Sequence, residues 1–572
     1  MCGIVGFSFL QPNSKVSERV LSLEKSLFHR GPDSSGSFIN KNLTLIHTRL
    51  SIIDLNSGSQ PIENEKYILV ANGEIYNDLE IRKENKSYKY LTKSDSESIL
   101  ALYDQNGVSG LSKLRGMYAF AIYDKKKGEL ILARDEFGIK PLYFSNEKEG
   151  IIFCSEIKPI QKFKKKKCKI SDSKLAEFMQ IQYCTGTSTI YEDINRVGPG
   201  QILIIKNGRI KKSLINHLPK KESKKFNDNY INQQIKESIA SHLRSDVPYC
   251  IFFSGGIDSM LLLYYINVLR KKNVTAYSVY FDNDTVNYLD EITEKLNVDL
   301  VKIRFSESDF WDWLLFAAGK IDEPIADYAI LPTFKLASIA SKKFKVAITG
   351  EGGDELFAGY GRYKKTQRII FKKTFFPKAT FNSILKHKFA NWTHDLKIYN
   401  SRVLRFGETS LQRSQYFDYN NWLPNDLLIK LDRCLMTYGM EGRTPFIDKE
   451  LFKNFFYIND KLKIKKGFGK FYIRNFLKRK ISYYNSFEKK KGFSVPIHNW
   501  LPKRTNDLEK VLINQDFLRK YFSKDELHYI IKGVKKDKKF VKPLWHIIFF
   551  TSWYLTNIKG IKPKGNFFDV LS

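Results

Sequence analysis

The stretch VPYCIFFSGGIDSMLLLYYINVLR (247–270) restricts the architecture of this chain more than any other. A short, wholly apolar run passes through a glycine pair into a long apolar run. A strand buried on both faces that turns directly into a helix belongs in a parallel sheet covered by helices. The pattern recurs: VTAYSVYF (274–281) reads as a strand, YLDEITEKLN (288–297) as a helix, and LVKIRF (300–305) and KVAITG (345–350) as strands. Strand and helix in alternation predict a doubly wound parallel sheet. Residues beyond about 360 read as mostly helical, aromatic-rich and packed around that sheet.

The first 205 residues follow a different rule. Short apolar or alternating runs (CGIVGFSF, LTLIHTRLSIID, KYILVANGEIY, YAFAIYD, ELILARDE, GIIFCSE, GQILIIKNG) are separated by Gly, Asn and Asp turns. They predict two antiparallel sheets packed face to face. Helices interrupt near Lys15–Phe28 and Ser96–Gln105. The polar, lysine-rich segment from Lys206 to Asn229 reads as a linker or an exposed hairpin. The expected organisation is therefore a domain at 2–205, a linker at 206–229 and a second domain at 230–572. A chain of 572 residues is too long for one core.

Composition narrows the function. No apolar run approaches the ~20 residues of a membrane-spanning helix. The N-terminus lacks the basic-then-apolar pattern of a secretory signal. The six cysteines are scattered without CxxC spacing, which argues against a disulfide framework or a zinc site and for a cytoplasmic protein. The net charge of +34 accompanies abundant Lys, Asn, Ile, Phe and Tyr, the composition of an AT-rich genome. No nucleic-acid motif goes with it, so it reads as solvated surface charge, with neither a nucleic-acid nor a membrane partner expected.

The glycine turn is where chemistry begins. Gly255 and Gly256 let a ligand approach the backbone, and helix-start N–H groups with the Ser254 and Ser259 hydroxyls can grip phosphate oxygens. The turn is neither a Walker nor a dinucleotide fingerprint. Asp258 inside it would repel phosphates unless a cation lay between, which implies Mg²⁺. A second carboxylate is expected at a neighbouring strand end, and ITGEGGDELFAGY (348–360) supplies Asp354.

SGGIDS with GEGGDELFAGY resembles the ATP pyrophosphatase domain of the glutamine-dependent asparagine synthetases, a PP-loop, adenine nucleotide hydrolase-like fold. The resemblance implies cleavage of ATP between its α and β phosphates and activation of a carboxylate as an acyl-adenylate. It places pyrophosphate on Ser254, Gly255, Gly256, Asp258 and Ser259, and Mg²⁺ on Asp258 and Asp354. It puts ATP contacts at Phe252, Val279, Thr349 and Gly350, and Glu351 at the position tied to aspartyl-adenylate formation. DEPIADYAILPTF (322–334), LDRCLMTYGMEGRTPFID (431–448) and KKKGFSVPIHNWL (489–501) resemble further segments of that family. They imply an acceptor-side carboxylate at Glu441 and a charge-stabilising lysine at Lys490. The tandem of Lys489, Lys490 and Lys491 leaves that lysine open by one position, and Glu488 stands where the family usually has Arg.

An acyl-adenylate needs a nucleophile, and glutamine hydrolysis would supply ammonia in place. That takes a thiolate, a base, an oxyanion hole and a clamp for the amino-acid end. Cys2 is the candidate nucleophile. With Met1 removed, its α-amine, of ordinary pKa about 7.7–8.0, can take the thiol proton. Asn72 and Gly73 suit an oxyanion hole, Arg49 a carboxylate grip and Asp95 an ammonium. These residues, with HRGPDSSG (29–36), RLSIIDL (49–55), RGMYAFAIYD (115–124) and ARDEFGIKPLY (133–143), resemble the class II glutamine amidotransferase domain, whose fold is the Ntn-hydrolase αββα sandwich. The resemblance further implies that Leu50, Ser51, Ile52 and Ile53 line the glutamine site and that Glu74 joins Asp95 on the α-amine.

The reading is a glutamine-dependent amidotransferase that uses ATP and Mg²⁺, with L-aspartate as acceptor and L-asparagine as product. A sugar (uronic acid) carboxylate acceptor is the first alternative and a non-catalytic basic binding protein the second. Oligomeric state stays open, a homodimer being one option.

Overall fold

The computed structural model of the chain describes residues 2–164, 168–219, 227–269, 273–282, 287–367, 377–397, 406–488 and 495–571. The strands in chain order are β1 (Gly3–Phe9), β2 (Ser34–Ile39), β3 (Leu43–Arg49), β4 (Ile62–Glu63), β5 (Tyr67–Ile75), β6 (Gly116–Asp124), β7 (Glu129–Arg134), β8 (Tyr143–Glu147), β9 (Gly150–Cys154), β10 (Asn195–Arg196), β11 (Gln201–Lys206), β12 (Arg209–Ile215), β13 (Tyr249–Phe252), β14 (Thr275–Tyr280), β15 (Asp299–Arg304), β16 (Val346–Ile348) and β17 (Glu441–Arg443). Among the described residues they form two six-stranded sheets and one five-stranded sheet.

The first sheet runs β10-β8-β9-β1-β3-β2 and the second β12-β11-β7-β6-β5-β4, both antiparallel throughout. The two-residue period sorts their side chains. Ile4, Leu45, Val70, Ala121 and Leu132 fill the space between the sheets. Their neighbours Val5, Phe7 and Ile46 meet helix residues Val16, Val20 and Phe163. Phe120 and Ile122 meet Ile99, Leu102 and Tyr103 of the helix Glu97–Gly110. Strands buried on both faces thus give the αββα sandwich expected for this half. The lysine-rich stretch begins as an exposed hairpin arm: β12 pairs with β11 and turns Arg209, Lys211 and Lys212 to solvent. Charges on a sheet edge discourage further strand pairing.

The third sheet is parallel, in the order β15-β14-β13-β16-β17. Counted from β13 the order is 3-2-1-4-5, so it reverses between β13 and β16. A crevice opens at such a reversal, outside the carboxyl ends of the strands. The helix Ile257–Leu269 follows β13 and is buried through Leu261, Leu262 and Leu263. The long helix Val541–Asn557 packs on Glu307–Lys320. Its Trp545 indole donates to the Ala326 carbonyl (2.8 Å) and its Trp553 indole to that of Asp322 (3.2 Å), fixing the DEPIAD segment. No helix among the described residues is long and apolar enough to cross a membrane.

The sandwich sits against the amino ends of the parallel strands. Arg244 and Asp246, just before β13, bond to Asp78 and to the Asp54 N–H. Lys345, just before β16, bonds to Asp33 (2.7 Å). Deeper in the contact, buried Arg30 forks onto Asp432 (2.8 and 3.0 Å) and reaches Glu156 (2.9 Å). Arg196 grips Glu323 and Arg115 grips Asp448. Bidentate guanidinium–carboxylate pairs fix orientation as well as proximity.

Candidate active sites

The first site lies where β1 and β5 come together. Cys2 is buried, and its backbone N–H donates to Asn72 Oδ1 at 2.9 Å. The Asn72 amide is fully buried, and its Nδ2 finds no partner among the described residues. A buried amide donor without an acceptor is costly, and its position beside Cys2 suits an oxygen that arrives with a ligand. Burial pushes the Cys2 thiol up, opposed by the Leu50 N–H and the Arg49 charge. Gly73 follows with φ +152°, and a Cβ there would lie 2.0 Å from the Met117 carbonyl. Only glycine fits this close approach.

Arg49 ends β3 and folds the next loop around itself, donating to the carbonyls of Ile53 (3.3 Å) and Asp54 (2.5 Å). That loop holds Leu50, Ser51 and Ile52, and the Ser51 N–H is fixed by Asp33 (2.7 Å). Asp95 accepts from the Ile75 N–H (2.6 Å) and so is locked to the strand that carries Asn72, Gly73 and Glu74. Burial raises the Asp95 carboxyl to about 6. Glu74 is buried beside it and pairs with Arg443 of β17 at 3.1 Å. Burial raises the Glu74 carboxyl well above its usual range; the Arg443 charge opposes this without cancelling it, and Asp95 adds to it.

The second site lies at the sheet reversal. Ser254 and Ser259 stand hydroxyl to hydroxyl (3.3 Å), and Ser259 also donates to the Gly256 carbonyl (3.1 Å). Gly255 has φ +70°. The turn after β16 presses on this loop: a Cβ on Gly353 would come within 2.5 Å of Asp258 Oδ1. Asp258 and Asp354 are thereby neighbours, as the sequence predicts, and the Lys470 ammonium sits between them, 2.6 Å from Asp354 and in contact with Asp258. Two carboxylates converging on one cation are a donor set suited to Mg²⁺ completed by phosphate oxygens. Phe252 and Val279, at the carboxyl ends of β13 and β14, flank the loop half-buried. The Thr349 N–H bonds to the Arg443 carbonyl (2.9 Å), leading into Gly350. Glu351 faces Lys430 at 3.5 Å, and Lys430 is held by Asp327 at 2.8 Å. Burial raises the Glu351 carboxyl, opposed by Lys430.

One expectation is corrected. Glu441 is not with Glu351 on the acceptor side. It pairs in register with Val346 at the amino end of the sheet, opposite the phosphate turns. There it bonds to Arg443 (2.5 Å), and its charge acts on Cys2 and Glu74. Motif position gave its neighbours in sequence, whereas strand direction decides which end of the sheet it occupies. Lys490, with Lys489 and Lys491, lies outside the described residues. Lys430, Lys470 and Arg443 are missing from the sequence reading. Arg443 lies inside a recognised segment and Lys430 directly before it, but Lys470 lies in none, and no spacing rule marks a lysine that pairs with a carboxylate 212 residues away.

The family model described as a glutamine amidotransferase domain matches residues 1–215, and the asparagine synthase model matches 230–555. Asparagine synthetase [glutamine-hydrolyzing] 1 of Bacillus subtilis (strain 168) is 30% identical, covering 98% of this chain and 97% of its own. A putative asparagine synthetase [glutamine-hydrolyzing] of Mycobacterium tuberculosis (strain ATCC 25618 / H37Rv) is 28% identical over 88% of each. Asparagine synthetase B [glutamine-hydrolyzing] of Escherichia coli (strain K12) is 29% identical over 64% of this chain and 66% of its own.

Proposed function

The chain belongs to the glutamine-hydrolysing asparagine synthetase family, and from that premise we propose that it moves the amide nitrogen of glutamine to L-aspartate, yielding L-asparagine, AMP and pyrophosphate. The observation that carries this reading is the Cys2–Asn72 contact, which puts a nucleophile, its own backbone nitrogen and an open amide donor in one buried place. We assign ammonia production to residues 2–205, the connection to 206–229, whose arm Arg209–Ile215 stays on the sandwich, and activation to 230–572.

Once Met1 is removed, the nitrogen that donates to Asn72 becomes the α-amine of Cys2. It takes the thiol proton as sulfur attacks the glutamine amide carbon. Asn72 Nδ2 and the Gly73 N–H receive the oxyanion. Arg49 takes the glutamine α-carboxylate, and Glu74 with Asp95 takes its α-ammonium. The amine then protonates the leaving nitrogen, ammonia departs, and water clears the thioester.

At the other end of the sheet, Ser254, Gly255, Gly256 and Ser259 grip the β and γ phosphates. Asp258 and Asp354 would hold Mg²⁺, which neutralises charge on the departing pyrophosphate. Lys470 holds both carboxylates in place. Lys430 and Glu351 orient the acceptor, whose carboxylate is adenylated and then attacked by ammonia. The two sites flank a strand pair only three residues long, roughly 10 Å at 3.3 Å per residue, which ammonia would have to pass to reach the adenylate.

The test is pyrophosphate release with L-aspartate against uronic acids, glutamine and MgATP being supplied. Turnover with aspartate is expected. Turnover with a uronic acid alone transfers the acceptor assignment to a sugar carboxylate and leaves the two-site chemistry standing.

A further inference from the structure

Arg443 belongs to both sites at once. Its carbonyl accepts from the Thr349 N–H (2.9 Å), the first residue of the turn that carries Gly350 and Glu351. Its side chain points the other way and is wholly buried. There it reaches Glu441 (2.5 Å), the carbonyls of His242 (2.9 Å) and Arg244 (2.5 Å), and Glu74 (3.1 Å). Glu74 sits two residues from Asn72 and one from Gly73. We propose that Arg443 is a positioning residue through which the parallel sheet sets the affinity of the amino-end site for glutamine, by pairing with Glu74 and aiming its carboxyl group at the substrate ammonium.

This rests on the reading that Glu74 takes the α-ammonium. Two buried carboxyls, Glu74 and Asp95, face the same small space, and burial favours their neutral forms. A protonated Glu74 cannot pair with an ammonium. Facing it are Arg443 and Glu441 from β17, Arg244 from the segment before β13, Asp95 from the turn before the helix Glu97–Gly110, and Tyr76 just past the end of β5. Among these groups Arg443 makes the direct ion pair with Glu74. Its planar fork spans four partners, a geometry that a lysine's point charge cannot reproduce.

The experiment is steady-state glutamine hydrolysis by the full chain from pH 6 to 9, comparing the parent with Arg443→Lys, Glu74→Gln and the double variant. Arg443→Lys is expected to raise the glutamine KM about tenfold with kcat within about threefold, the signature of lost uniform binding. Without the fork Glu74 holds its proton to higher pH, so the KM of Arg443→Lys should fall back toward the parent as pH rises. In the Glu74→Gln background Arg443→Lys should add nothing. If Glu74→Gln keeps the parent KM, the ammonium reading fails and takes the proposal with it. If Glu74→Gln raises KM but Arg443→Lys does not, or raises it equally at every pH, the proposal alone is overturned. Glu441→Gln provides a second check should Arg443→Lys not fold. It keeps Arg443 and removes a facing negative charge, so the pH at which glutamine KM climbs should move down, and an unmoved profile also overturns the proposal.

Discussion

The N–H of Cys2 donates to the side-chain oxygen of Asn72 at 2.9 Å, a contact between residues 70 apart in sequence. It ties the residue just before β1 of one sheet to the interior of β5 in the other. The same side chain then has its amide donor left over for a substrate oxygen. One residue can thereby position the amine and stabilise the oxyanion.

Asn72→Ala should therefore cut glutamine hydrolysis by about 10²–10³ in kcat, the cost of one oxyanion donor. Synthesis driven by added ammonia should persist. Stopped glutaminase assays beside ammonia-dependent pyrophosphate release measure both, and parallel loss of the two activities would refute the separation of sites.

Cys2→Ala should abolish glutamine use and retain ammonia-dependent product formation. Asp258→Asn should remove pyrophosphate release with either nitrogen source. Activity of Asp258→Asn under ammonia would sink its assignment to the phosphate and metal end.

Asp95 predicts a pH effect on glutamine affinity. Its folded carboxyl titrates near 6, raised by burial from an ordinary value of 3.8. Glutamine KM should rise as pH falls through about 6, where the carboxylate is lost, and Asp95→Asn should flatten that rise. The stability sign is the reverse. A raised carboxyl pKa means the folded state holds the proton more tightly, so this contribution is full below about 3.8 and is lost as pH climbs through 6. Thermal melts of parent and Asp95→Asn across pH 4–7 measure it.

Lys470 holds two carboxylates that would otherwise repel, with its ammonium almost wholly buried. Lys470→Gln should cost roughly 3–5 kcal/mol, the usual penalty for breaking a buried ion pair. Added Mg²⁺ should restore part of it by taking the place of the ammonium. Melting temperature against Mg²⁺ concentration reads this directly, and a variant melting like the parent without Mg²⁺ would contradict it.

Asp432→Ala would leave the buried Arg30 guanidinium with Glu156 as its remaining carboxylate, beside its hydrogen bond to the Cys2 carbonyl (3.2 Å). A loss of about 3–5 kcal/mol is expected, with the sandwich and the parallel unit separating into distinct calorimetric transitions. A single unshifted transition would show that this ion pair does not hold the halves together.

The sequence by itself determined whatever is local. The run from Val247 through the Ser254–Ser259 turn carries its strand, turn and helix in consecutive residues, and Cys2, Arg49, Asn72, Gly73 and Asp95 lie in contiguous motifs. The tertiary structure alone decided what depends on strand direction and on partners distant in the chain. β17 is three residues long, too short to show a period, so neither it nor the burial of Arg443 was legible. The parallel register sends Glu441 to the amino end of the sheet and Glu351 to the carboxyl end, although both lie in motifs read together. Lys470 meets Asp258, and Lys430 meets Asp327 and Glu351, because the fold brings buried charges to opposite charges, and a linear pattern does not encode which pairs those will be.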